Sequence, residues 1–163
     1  MRRRASGPRD YQRTHVYRWE TEHVFPLAGR RLDLAFCRAL VLEVYRFAEA
    51  DRVHLPGWRP PVVTDGRGRR HACGSREVIK LPRWARTVAV VLHECAHGLA
   101  PDRHGPLFVG VYVELLVRFA GLSRGHLLAT LARAGIDVEP EALATLRGAF
   151  RGSVPGPGRT AAP

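Results

Sequence analysis

The segment from Val88 to Leu99 is apolar on almost every side, yet it carries His93, Glu94 and His97 in its middle. Such a run reads as a buried helix. Buried polar groups without partners cost roughly 1 to 3 kcal/mol each, so the fold has to supply partners for three of them at one place. The order His93-Glu94-Cys95-Ala96-His97 is an HExxH. On a helix, positions i and i+4 lie one turn apart on one face, which lets both imidazoles reach a single Zn²⁺ while Glu94 reaches a water held by that ion. With 8 His and 9 Glu in 163 residues, a random chain shows this pattern at roughly the 2% level, so the apolar setting carries more weight than the pattern. The bland alternative is a pair of core histidines bonded to carbonyls, with Glu94 paired to an Arg.

Gly98 and Pro101 break the helix, and His104-Gly105-Pro106-Leu107-Phe108 follows. A third neutral ligand brought back by a short turn leaves the fourth position open, as catalytic zinc sites do and closed structural sites do not. The expected ligands are His93, His97 and His104, with Glu94 as the catalytic base. Six residues separate His97 from His104 where the metzincin pattern has five, and the glycine of that pattern falls at Ala100, so the chain is no metzincin. Glu114 is the rival third ligand. It stands four residues before Arg118 on an apolar helix, and a local ion pair accounts for it. Cys73 has no second Cys nearby, Cys95 points to the far face of its helix, and His15, His23, His54 and His126 have no partner spacing.

A chain of this length predicts one domain, here residues 10–151. The Arg-rich stretch 1–9 and the Pro/Gly-rich stretch 152–163 read as disordered tails. Over Asp10 to Phe25, alternation and helical spacing compete, and the β-branched and aromatic content tips the reading to strand. Asp33 caps a helix to about Ala50 with Phe36, Cys37, Leu40, Val41, Val44 and Phe47 inward. Pro61 to Thr64 and a run ending at Val78 to Pro82 read as a hairpin around the Gly-rich turn at Asp65 to Gly68. Helices are expected from about Trp84 to Leu99, Pro106 to Ala120, Ser123 to Ala134 and Glu139 to Phe150, with Gly121 and Gly135 as C-terminal caps. The class is α+β, a small sheet against the HExxH helix and a C-terminal helical bundle.

The HExxH followed by His104-Gly105-Pro106-x-Phe108 resembles the SprT-like zinc metallopeptidases, whose third ligand is the His of a similar HGxxF element. A longer stretch is similar to a small bacterial family of HExxH metallohydrolases with no settled substrate. It includes Arg9-Asp10-x-Gln12-Arg13-x-x-Val16-Tyr17, Ile79-x-Leu81-Pro82-Arg83 and both zinc motifs, and it spans roughly Arg9 to Phe150. The resemblance implies a minimal zincin-like fold with Glu94 as general base. The chain lacks the CxxC pair of the SprT-like zinc ribbon, so a DNA-linked role does not carry over automatically, and nucleic acid stays open as a partner on charge alone.

The expected function is that of a zinc metallohydrolase, a peptidase acting on a peptide or protein, with Glu94 activating a zinc-bound water. The strand Val78 to Leu81 is a candidate edge for an extended substrate. Tyr112, His71 and Arg103 are candidate donors to the oxyanion. The alternative is an Arg-rich nucleic-acid-binding module with a structural zinc or none. The net charge is +11 and seven basic residues stand against one acid from Arg67 to Arg86, which suits a polyanion. All but one of the 26 basic residues are Arg, a bias that also looks like a GC-rich coding sequence. The apolar runs are too short for a membrane span, no apolar segment follows the basic start, and three cysteines at no framework spacing point to reduced thiols in the cytoplasm.

Overall fold

The computed structural model describes residues 10–151; the expected tails lie outside the described residues. Where a strand was expected, the chain is helical. Arg13–Trp19 (α1), a π-helical turn at Glu20–Val24 and Phe25–Ala28 (α2) follow one another as a single rod. The reason is a period that fits neither template. Gln12, Val16, Glu20, Val24 and Ala28 are all buried, four residues apart at every step. An α-helix drifts about 40° over four residues and about 160° over sixteen, which would carry Ala28 to the far side of the rod. The i→i+5 turn takes more residues per revolution and brings the stripe back onto the core. Trp19 anchors the rod by donating from Nε1 to Thr130 Oγ1 at 2.9 Å.

Helix α3 spans Leu34–Ala48, and the Asp33 carboxylate accepts from the Phe36 N–H at 2.8 Å, as a cap should. Its buried face is Cys37, Val41, Val44, Tyr45 and Ala48. Phe36, expected inward, falls beside that stripe and is 62% exposed.

Three strands follow: β1 (Val62–Thr64), β2 (Cys73–Gly74) and β3 (Val78–Lys80). The order is β1-β3-β2. β1 pairs parallel to β3, and the antiparallel pair is β2 with β3. The expected hairpin between β1 and β3 is thus a parallel pair, because the thirteen residues between them cross over and form β2 on the way. Gly66 makes the turn-out possible. Its φ is +58°, and a Cβ there would meet Pro82 N at 2.6 Å. β3 is therefore the central strand rather than an edge, with Ile79 fully buried.

A 3₁₀ turn at Arg83–Ala85 precedes α4 (Val88–Leu99), which starts later than expected because Thr87, not a residue near Trp84, is the cap and accepts from the Val90 N–H. α5 (Pro106–Ala120) is capped from outside by Asp102, whose two carboxylate oxygens accept from Leu107 N at 2.8 Å and Phe108 N at 2.9 Å. α6 (Arg124–Arg133) and α7 (Ala142–Arg151) complete the α+β fold. Gly121 and Gly135 take the left-handed conformation at the ends of α5 and α6. The Glu114–Arg118 ion pair is not among the ion pairs of the described residues. Glu114 Oε1 lies 3.5 Å from the Leu143 N–H, and the Arg118 guanidinium sits over Phe47. Among the described residues, no helix is long and apolar enough to cross a membrane.

Candidate metal centre

α4 carries His93 and His97 on one face, and the turn capped by Asp102 brings His104 back to them. One ligand-capable atom from each of the three lies within 4.8 Å of the others. His93 Nε2 and His97 Nε2 are 3.0 Å apart, near the roughly 3.3 Å that a tetrahedral zinc with Zn–N of about 2.0–2.1 Å imposes on two nitrogens.

The far nitrogens are held by carboxylates. His93 Nδ1 lies 2.8 Å from Glu20 Oε1, and His104 Nδ1 lies 2.8 Å from Asp10 Oδ2. A carboxylate accepts only, so it selects the Nδ1–H tautomer and turns the Nε2 lone pair toward the cluster. This is the carboxylate–histidine arrangement that orients metal-ligating imidazoles. His104 Nε2 is buried with no hydrogen-bond partner among the described residues. Gln12 fixes the backbone behind it, donating to the His104 carbonyl at 3.0 Å and accepting from Asp137 N at 2.6 Å. Aromatic rings close the sides: Phe108 stacks on His97 at 4.5 Å between centroids, and Tyr17 lies over His93 at 5.9 Å and edge-on to His104 at 5.0 Å.

The electrostatics differ among the three imidazoles. Burial, reinforced by His93 and His104, pushes His97 down to about 3. Burial also lowers His104, against the pull of Asp10. At His93, burial favours the neutral ring but Glu20 outweighs it, and the value rises. The environment thus favours positive charge at His93, a role a proton or a cation fills. Glu94 is raised by burial, with His93 pulling down, Glu20 pushing up and the Gly74 N–H pulling down. β2 runs flush against α4 at this point. A Cβ at Gly74 would fall onto the Glu94 carbonyl, 2.8 Å from Glu94 Cβ.

A cleft of about 530 Å³ opens beside the cluster, with His93 and Glu94 in its wall. Of the expected oxyanion donors, His71 lines this cleft. Tyr112 does not; it is fully buried and donates to the Ala89 carbonyl at 3.2 Å. Arg103 is exposed on the loop before His104, with φ at +60°, and is not part of the cleft wall. The residues that sequence reasoning gave no role are Asp10, Tyr17 and Glu20. The first two stood only in the N-terminal pattern of the resemblance; the signal for Glu20 is its place in the four-residue buried stripe. His23 and His126 meet edge-on at 6.1 Å, away from the cluster. Cys73 is exposed on β2, and Cys95 is buried. In the basic stripe, Arg86 donates to the Leu81 and Asp65 carbonyls and Arg76 pairs with Glu49 at 2.8 Å. Arg67 and Arg83 line a separate cavity of about 480 Å³. Compared with known proteins, the chain matches no family model, no curated protein and no solved structure.

Proposed function

We propose that this chain is a zinc-dependent metallohydrolase, a peptidase built as a minimal zincin. The observation that carries the reading is the convergence of His93, His97 and His104, with His93 and His104 each held at Nδ1 by a carboxylate and the buried Nε2 of His104 left unpartnered among the described residues. The donor set fits zinc: three imidazole nitrogens, with His93 and Glu94 bordering a cleft from which a fourth ligand would come. When bound there, zinc supplies Lewis acidity toward a carbonyl and makes a water acidic near neutral pH.

The chain's own residues divide the remaining work. Glu94, with its raised affinity for a proton and the Gly74 N–H against its carboxylate, takes the proton from the attacking water and passes it to the leaving amine. Glu20 and Asp10 hold two ligand rings in the productive tautomer. Phe108 and Tyr17 keep bulk water from the imidazoles. The resemblance to SprT-like metallopeptidases agrees with this division for His93, Glu94, His97 and His104.

The test is zinc content per chain for wild type, His104→Ala and Glu94→Gln, purified without added metal or chelator, followed by a peptide-library screen. One zinc in wild type and Glu94→Gln, none in His104→Ala, and cleavage by wild type alone is the expected result. No zinc in wild type even after reloading would overturn the reading and turn attention to polyanion binding by the Arg-rich surface.

A further inference from the structure

Three aromatic side chains stand exposed along the cleft wall. Tyr17, Phe25 and Trp84 line it, and they are 42%, 37% and 51% exposed. They come from two parts of the fold: the N-terminal rod, with Tyr17 on α1 and Phe25 at the start of α2, and the 3₁₀ turn before α4. Tyr17, Thr21 and Phe25 stand at four-residue steps beside the buried stripe, so the π-helical turn that keeps the stripe on the core also aims these side chains at one cleft. Val90 and Ala72 add apolar wall between them. Trp84 donates its indole N–H to the Arg70 carbonyl at 3.2 Å, so it offers a ring face and not a donor. The wall sets two carboxylates, Glu20 and Glu94, against the one guanidinium of Arg13, so it offers an acidic group no net attraction.

Resting on the metallopeptidase reading above, we propose that this cleft selects peptides with a large apolar side chain, aromatic by preference, next to the scissile bond, and that Trp84 and Phe25 determine this specificity. An aromatic side chain buries a large area against such walls and gains ring–ring contacts in addition. The cleft is continuous with His93 and Glu94, so the subsite and the reacting bond belong to one substrate.

Calorimetric titration of the zinc-loaded full-length chain tests this with three probes that share a metal-chelating head group: acetohydroxamate, 3-phenylpropanohydroxamate and the carboxylate-bearing succinic monohydroxamate. The phenyl probe is expected to bind about 30-fold tighter than acetohydroxamate, and the acidic probe no tighter. Trp84→Ala and Phe25→Ala, each checked for native circular dichroism, are expected to cut the ratio of phenyl to acetohydroxamate affinity about fivefold or more. Phenyl and acetohydroxamate binding within threefold of each other, or a ratio unmoved in both variants, overturns the subsite while leaving the metal centre standing. A chain that holds no zinc, or whose zinc no hydroxamate reaches, overturns the metallopeptidase reading and the subsite with it.

Discussion

Replacing Glu20 by Gln separates two things that the Glu20–His93 contact does. The carboxylate is buried and lies 2.8 Å from His93 Nδ1. Glutamine keeps an oxygen there, so the Nδ1–H retains an acceptor and the ring keeps its orientation. What disappears is the negative charge. A hydrogen bond to a charged group contributes about 1.5–3 kcal/mol and a neutral one about 0.5–1.5, so the positive charge at His93 loses roughly 1–1.5 kcal/mol of support. That corresponds to about tenfold in zinc affinity, at 1.4 kcal/mol per decade, the lower end of the 10–100-fold typical of residues that orient metal ligands. At a pH where His93 carries no proton, stability of the metal-free chain is expected to move little, or upward, because burying a neutral amide costs less than burying a carboxylate. Chelator competition gives the zinc affinity, and urea unfolding of the metal-free protein gives the stability. Zinc affinity within twofold of wild type, or a stability loss as large as the affinity loss, refutes the reasoning, the first because the charge then does nothing and the second because the residue is then merely structural.

Two further predictions concern the same centre. Gly74→Ala forces a Cβ onto the Glu94 backbone; overpacking of this kind costs about 1–3 kcal/mol, so urea unfolding is expected to show that loss, with zinc retained and turnover reduced. Acid is expected to destabilise the metal-free chain through His97. Its value falls from about 6.5 in the unfolded chain to about 3 in the native one, so between those pH values the unfolded state binds the extra proton and stability drops as pH falls, by up to about 1.4 kcal/mol per pH unit. His104 acts in the same direction, and His93 and Glu94 in the opposite one. Unfolding followed from pH 7 to 3.5 checks the sign, and a flatter slope in His97→Leu assigns it.

The parts of the centre that the sequence displays are the local ones. His93 and His97 are a turn apart on one helix, and His104 returns within seven residues, so spacing alone places them. Asp10 and Glu20 come from 94 and 73 residues away, and their segment follows a period of four that tests for 2.0 and 3.6 both miss. The same kind of non-local choice hid the sheet order. The β1 and β3 segments read correctly as short apolar strands, but whether they pair antiparallel or cross over depends on where residues 65–77 go, and that is settled by the close fit of Gly66 under Pro82 and of Gly74 under Glu94. Helices α3, α5 and α6 were legible because their caps, Asp33, Gly121, Ser123 and Gly135, act within one turn of the chain.

The π-helical turn links these observations. A straight α-helix from Gln12 could present Glu20 to His93 or hold Val24 and Ala28 against the core, but the accumulated drift prevents both. Widening one turn lets a single rod keep Asp10 on His104, Gln12 on the backbone of His104, Glu20 on His93 and Tyr17 against both rings. The three imidazoles come from α4 and the turn before α5, while the groups that orient them come from the rod. Any cation held by the imidazoles therefore strengthens contacts between the rod and the rest of the fold, and loss of the rod's carboxylates weakens the hold on the cation. Under the proposed function, binding and folding would be coupled through the same two hydrogen bonds, which is why a change at Glu20, outside the three imidazoles, would read out the centre.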